Sequence, residues 1–120
     1  MKINRFEDIE SWKMARQLNK KIYNITSQKE FARDWGLRDQ IQRASVSIMN
    51  NIAEGFDSSS KTEFCRFLSY SKRSCSEVQC IMYIALDLNY VDKELFQEIY
   101  LQTEETRKLI SGFIRYLKAN

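Results

Sequence analysis

The stretch LRDQIQRASVSIMNNIAEGF, residues 37–56, decides the fold. Its apolar residues recur at steps of three and four, which places a continuous stripe on one face of an α-helix. The stripe consists of Leu37, Ile41, Ala44, Ile48 and Ile52. Gly55 follows at a position where glycine often caps the C-terminus of a helix. The segment therefore predicts a helix from about Asp34 to Glu54.

A similar stripe precedes this segment, and a short loop separates the two. The predicted helix runs from about Asp8 to Ser27, and a loop is expected at about Gln28 to Ala32. The apolar stripe of this first helix consists of Trp12, Ala15, Leu18, Ile22 and Ile25. The opposite face is polar, as in a helix that buries one side against a core.

Two more helices follow the serine-rich loop at residues 57–60. Ser60 and Glu63 have the spacing of a capping box, which predicts that a helix starts there. This helix is expected to end near Leu88, where Asn89 can terminate it. Asp92 is the predicted N-cap of the last helix. The third stripe is Phe64, Phe67, Leu68, Ser71, Cys75, Val78, Met82 and Ala85, and the fourth is Leu95, Ile99, Thr106, Ile110, Phe113 and Leu117.

The composition agrees with long, uninterrupted helices. The 120 residues include no proline and only three glycines, so few turns are available. That composition argues against a sandwich, a barrel or a disordered chain. Short loops between long helices favour antiparallel neighbours. We therefore predict an all-α, antiparallel, up-down-up-down four-helix bundle that forms a single domain over residues 1–120.

The sequence lacks the residues that most catalytic and metal sites use. Histidine is absent, which removes the commonest general base and metal ligand. Cys65, Cys75 and Cys80 do not have the spacing of a metal site, and an odd number of cysteines fits free thiols in the cytoplasm. We therefore expect a cytoplasmic protein that is not an enzyme and binds no metal, no cofactor and no membrane.

Basic residues are the best candidates for contact with nucleic acid. Residues 1–75 carry 14 Lys and Arg against 9 Asp and Glu, whereas residues 76–120 are net acidic. Cations at one-turn steps along a helix can meet successive phosphates, although such a stripe is often only a solvated face. The candidates are Lys13, Arg16, Lys20, Lys21, Arg66, Lys72 and Arg73.

The second predicted helix carries more apolar surface than one stripe requires. Val46, Met49, Ala53 and Phe56 project away from the main stripe. A helix that is apolar on two sides is usually buried on two sides, so a second subunit is expected to cover them. The alternative is that they pack under a loop or an end of the same chain.

A polar row flanks the main stripe of the same helix. It consists of Gln40, Arg43, Ser47, Asn51 and Glu54. Arg43 can pair with Asp39 one turn earlier, but Glu54 needs a partner from elsewhere. The row is either a polar seam that fixes the register of a helix pair or a subunit contact, or a solvated edge.

Four stretches together resemble one known family. They are FEDI at residues 6–9, QIQRA at residues 40–44, NIAEG at residues 51–55 and EFCRFL at residues 63–68. The chain resembles, from Phe6 to about Leu117, the bacterial four-helix bundle proteins encoded in intervening sequences of 23S rRNA genes. Arg73 stands where that family usually has a small residue, which adds a cation.

The resemblance implies an antiparallel four-helix bundle that commonly assembles as a homopentamer and has no established enzymatic activity. Similar proteins accompany diversity-generating retroelements and bind nucleic acid. By analogy, we expect a nucleic-acid-associated scaffold, with RNA or DNA and further copies of itself as partners. The alternative is a protein–protein interaction adaptor that has no nucleic acid partner.

Overall fold

Five α-helices are present in the computed structural model, which describes residues 2–120. They are α1 Glu10–Thr26, α2 Lys29–Arg33, α3 Trp35–Phe56, α4 Lys61–Asp87 and α5 Lys93–Ala119. A 3-10 turn at Phe6–Asp8 precedes α1, and no strand occurs in the described part of the chain. The four long helices form a bundle that measures 46 × 22 × 19 Å. The all-α prediction is therefore confirmed.

Side-chain caps start three of the long helices where the sequence predicts them. Asp34 accepts a hydrogen bond from the Leu37 amide at 3.1 Å, and Asp92 accepts one from the Leu95 amide at 2.8 Å. Ser60 Oγ accepts from the Glu63 amide at 3.1 Å. These bonds satisfy amide groups that the first turn of a helix leaves without partners.

One predicted helix start and one predicted capping box need correction. The first helix begins at Glu10 rather than Asp8, because the Asp8 carboxylate accepts from the amides of Asn4 and Arg5 and so closes the 3-10 turn. The capping box at Ser60 is only half formed. The Glu63 side chain pairs with Arg66 one turn later instead of reaching back to Ser60.

Gly55 does not cap α3 in the way the sequence predicts. The helix continues to Phe56, and no glycine in residues 2–120 has a positive φ. Gly55 is buried, and a Cβ placed on it would lie 2.7 Å from Phe64 Cδ1 and 3.0 Å from Phe67 Cβ. Close packing between α3 and α4 therefore requires glycine here. Asn89 does end α4 in the left-handed region, at a φ of 60°.

The four predicted stripes meet in one core. Each long helix packs against two others, in the cycle α1, α3, α4, α5 and back to α1. The most deeply buried apolar side chains are Leu18, Ile22, Phe31, Ile41, Ile48, Ile52, Leu68, Val78, Met82, Ile99 and Ile110. Trp12, Leu37 and Leu117 lie at its edge and are half-buried.

The predicted loop at Gln28 to Ala32 contains the short helix α2. Its Phe31 side chain is fully buried and packs against the ring of Tyr90, with 5.3 Å between the ring centroids. Burying a phenylalanine offsets part of the cost of ordering the five residues of this turn. The sequence analysis missed this helix because a single apolar residue carries no periodicity.

Asp34 fixes this end of the bundle through two bonds. Its Oδ1 caps α3, and its Oδ2 accepts from the Tyr90 hydroxyl at 2.9 Å, which raises the pKa of Tyr90. We expect Asp34→Ala to lower the free energy of unfolding by at least about 1 kcal/mol, the usual cost of losing an N-cap. Tyr90→Phe removes only the second bond and should cost less. Urea unfolding of both variants checks this order, and equal losses would contradict it.

Candidate nucleic-acid interface

The predicted basic residues of α1 are partly neutralised by neighbouring carboxylates. Lys13 Nζ lies 3.5 Å from Glu10 Oε1, and Lys21 Nζ lies 3.0 Å from Glu98 Oε2 on α5. The other two residues of this face are Arg16, which stacks over Trp12, and the exposed Lys20. The α1 face therefore presents less positive charge than its sequence suggests.

The predicted cations of α4 lie in a long groove beside α5. Two adjoining crevices of about 530 and 250 Å³ share Ser69 as a common wall. We call this surface the basic groove. Its cationic side chains are Lys61, Arg66, Lys72, Arg73, Arg107 and Lys118. The structure thus brings together the three predicted α4 residues and adds three more.

The sequence analysis missed three residues of the basic groove: Lys61, Arg107 and Lys118. Two of them come from α5, which lies within the net acidic residues 76–120, so charge counting along the chain favours the earlier helices. The signal that identifies them is the register between α4 and α5. Spacing within one helix does not contain that information.

Two carboxylates moderate the charge of the basic groove and also hold its arginines in place. Glu63 pairs with Arg66, and Glu104 accepts from Arg107 Nη2 at 2.5 Å and from Arg107 Nε at 3.2 Å. Gln79 Nε2 donates to the same Glu104 carboxylate at 3.0 Å. Lys61 in turn donates to the oxygen of Asn120. Six cations against two carboxylates leave the groove net positive, and a bidentate bond orients Arg107.

Glu104 makes the stability of the folded protein sensitive to pH in the acid range. The hydrogen bond from Arg107, and to a smaller extent the one from Gln79, lowers the pKa of Glu104 to about 2, from an ordinary value of 4.5. Its contribution to stability is therefore complete above pH 4.5 and is lost as the pH falls towards 2. We expect Glu104→Gln to remove this part of the acid dependence. Urea unfolding at neutral and acid pH checks this, and parallel pH profiles for variant and parent protein would contradict it.

The three cysteines differ in their surroundings. All are free thiols: Cys75 is buried, Cys65 is half-buried in the basic groove, and Cys80 is exposed. Burial raises the pKa of the Cys75 thiol to about 12, so it stays protonated in the core. The core position predicted for Cys75 is confirmed.

The predicted polar row on α3 divides into two parts. Ser47 and Asn51 form a hydrogen-bonded cluster with α4, because Ser74 Oγ lies 2.9 Å from Ser47 Oγ and Asn51 donates to Ser47. The exposed members are Gln40, Arg43 and Glu54. Arg43 pairs with Asp39 at 3.2 Å, as its spacing predicts. The row is therefore a seam between helices at its centre and a solvated edge at its ends.

The second apolar face of α3 is half-buried. Its members are Val46, Met49, Ala53 and Phe56. Met49 and Phe56 pack against the core of the same chain, and α3 contacts both α1 and the 3-10 turn. Val46 lines a shallow groove of about 360 Å³ that also contains Tyr23 and Glu54. Part of this face is thus covered within the chain, and part remains open to a partner.

Neither a metal cluster nor a membrane span emerges from the described residues. Residues 2–120 contain no group of three or more metal-ligating side chains. None of their helices has the length and apolar character needed to cross a membrane.

Comparison with known proteins identifies the family. The family model for the 23S rRNA-intervening sequence protein matches residues 7–112. This chain belongs to the 23S rRNA-intervening sequence protein family. The match includes α1 to α4 and most of α5, and so spans both the polar row and nearly all of the basic groove. The resemblance found in the sequence is therefore confirmed.

A solved structure shares the fold of this family member. It is the crystal structure of a protein of unknown function from the S23 ribosomal protein family of Bacteroides thetaiotaomicron. The two chains are 20% identical and superpose with a TM-score of 0.80, over 87% of this chain and 97% of that one. No curated protein matches this chain.

Proposed function

We propose that this family member is a non-enzymatic, oligomeric helical bundle that binds nucleic acid through the basic groove. The observation that carries the proposal is the convergence of six cationic side chains from α4 and α5. Phosphates are recognised by rows of lysine and arginine, and this interaction is independent of base sequence. The name of the family, which refers to 23S rRNA, supports RNA as the partner. The protein would act in the bacterial cytoplasm, where free thiols stay reduced.

An antiparallel, up-down-up-down order of the long helices is part of this proposal. Contacts between α3 and α4 pair rising with falling residue numbers: Ser71 donates to the Ile48 carbonyl, and Ser74 bonds to Ser47. The same opposite direction of residue numbers relates α4 to α5. There Phe64 packs on Phe113 at 5.3 Å, and the contacts of Tyr83 lie nearer the start of α5. An antiparallel order agrees with the lining of the two crevices, since Lys72 and Arg107 share one of them and Lys61 and Lys118 share the other.

Self-association is the second part of the proposal. The groove around Val46 and the exposed edge at Gln40, Arg43 and Glu54 are the surfaces on α3 that a second copy would cover. The family resemblance favours a homopentamer. Five copies of a chain with net charge +3 carry a total of about +15, which strengthens attraction to a polyanion.

Light scattering of the purified protein tests self-association directly. We expect a mass several times that of the 14.3 kDa chain, with a pentamer as the leading assembly. Absorbance at the nucleic-acid maximum should reveal co-purifying RNA or DNA. A nucleic-acid-free monomer at every concentration would contradict both parts of the proposal.

The alternative function is a protein–protein interaction adaptor with no nucleic acid partner. The half-buried apolar face of α3 favours it, because such surfaces suit protein contacts. Affinity purification with and without nuclease separates the two functions. Partners lost after nuclease treatment support the nucleic-acid proposal. A protein partner that is retained, with no RNA binding by the purified chain, favours the adaptor.

A further inference from the structure

The smaller crevice of the basic groove is lined only by side chains that can donate hydrogen bonds. It has a volume of about 250 Å³, and its lining consists of Ser69, Lys72, Arg73, Ser76 and Arg107. The first four lie on one face of α4, because they recur at helical spacing, and the fifth comes from α5. No carboxylate of the described residues belongs to this lining. The smaller crevice is therefore suited to an anion.

The donors that α4 contributes to the smaller crevice are free. Lys72 and Arg73 take part in none of the ion pairs formed within residues 2–120. Ser69 and Ser76 are likewise absent from the side-chain hydrogen bonds of this part of the chain, whereas buried serines of α4 bond to α3. All four residues are exposed or half-buried, so a ligand can reach them.

The fifth donor, Arg107, is held in place before any ligand binds. The Glu104 carboxylate accepts from its Nε and Nη2 atoms, and Gln79 donates to the same carboxylate. A guanidinium has five N–H donors, so this bidentate bond leaves others for a ligand. A donor that is already oriented loses less conformational entropy on binding than a flexible side chain does.

The charge of the smaller crevice fits a phosphate monoester better than a phosphodiester. Lys72, Arg73 and Arg107 carry three positive charges, and Glu104 beside Arg107 balances one of them. The remaining charge of +2 matches a phosphate monoester, which carries about −1.5 to −2 at pH 7 and offers three acceptor oxygens. A backbone phosphodiester has one negative charge and two such oxygens, so it would leave donors of the crevice unused.

We propose that the smaller crevice binds a phosphate monoester, the group found at the 5′ end of a phosphorylated RNA strand and on a free nucleotide. The inference rests on the proposed function, because the larger crevice beyond Ser69 takes the internal phosphates of the same strand. The monoester oxygens accept from Lys72, Arg73 and Arg107, and the two serine hydroxyls donate the remaining bonds. The basic groove thereby distinguishes the end of an RNA strand from its interior.

Fluorescence anisotropy with a short single-stranded RNA, labelled at its 3′ end, tests the proposal. We expect a 5′-phosphorylated strand to bind roughly tenfold more tightly than the same strand with a 5′-hydroxyl. A 5′-hydroxyl strand that is two nucleotides longer has about the same total charge as the phosphorylated strand, and it should not show this gain. Equal affinities for the phosphorylated strand and this longer strand would overturn the proposal and leave the proposed function standing. Binding of neither strand would contradict both.

Adenosine monophosphate, with adenosine as its control, distinguishes the two sources of the monoester. If far more nucleotide than unlabelled phosphorylated RNA is needed to displace the labelled strand, the RNA end is the ligand. Equal potency identifies the free nucleotide as the ligand. Displacement by adenosine as effective as that by the nucleotide would contradict recognition of the phosphate.

The double variant Ser69→Ala/Ser76→Ala separates this site from the general charge of the groove. It should lose most of the preference for the 5′-phosphate but bind the 5′-hydroxyl strand within about twofold of the parent protein, because its net charge is unchanged. Thr62→Ala, which removes a hydroxyl from the larger crevice, should keep the full preference. Urea unfolding shows whether each variant is folded. A folded double variant that retains the preference would show that the smaller crevice is not the site.

Discussion

The double variant Lys72→Glu/Arg73→Glu is expected to bind a fluorescein-labelled single-stranded RNA at least about tenfold more weakly than the parent protein. The two substitutions place carboxylates in the centre of the basic groove, beside Arg107. The buried core does not contain either side chain, so the fold should persist. Fluorescence anisotropy measures the affinity, and circular dichroism verifies the helical content.

A matched variant on the opposite helix separates the groove from net charge. Lys13→Glu/Lys20→Glu makes the same charge change on exposed positions of α1. Because those residues lie outside the basic groove, we expect a much smaller loss of affinity. Equal losses for the two double variants would show that total charge, and not the groove, governs binding.

Gly55→Ala should lower the stability of the protein, although it adds only one methyl group. The added methyl group would overlap the Phe64 ring, which edge-on contacts with Phe56 and Phe113 hold in place. Overpacking of this kind costs about 1–3 kcal/mol, and the better helix propensity of alanine returns about 1 kcal/mol. We therefore expect a net loss of up to about 2 kcal/mol in the free energy of unfolding, measured with urea.

Gly112→Ala provides the control for Gly55→Ala. It is also a helical glycine, but its surroundings leave room for a methyl group. The gain in helix propensity should therefore stabilise the protein by up to about 1 kcal/mol. If Gly55→Ala were as stable as Gly112→Ala, the close contact between α3 and α4 would not be the reason for glycine at position 55.

The helices could be predicted from the sequence because local signals determine them. Periodic stripes and the caps at Asp34, Ser60 and Asp92 depend on residues within one or two turns, and the three helices begin there as predicted. The short helix α2 could not be predicted, because its single anchor, Phe31, is buried by distant parts of the chain.

Residues that depend on the contact between helices were predicted less well. Gly55 has the spacing of a C-cap, and only the position of Phe64 on α4 reveals its role in packing. Likewise, Arg107 and Lys118 join the basic groove through the register of α5 against α4. Periodicity along one helix shows which side is buried but not which residue of another helix lies opposite.

The salt dependence of RNA binding tests the central role of the basic groove most directly. Each cation that neutralises a phosphate contributes about 0.7 to the slope of log affinity against log salt concentration for a single strand. We predict a steep slope for the parent protein, a clearly shallower one for Lys72→Glu/Arg73→Glu, and an almost unchanged slope for Lys13→Glu/Lys20→Glu. The same slope for all three proteins would contradict the account.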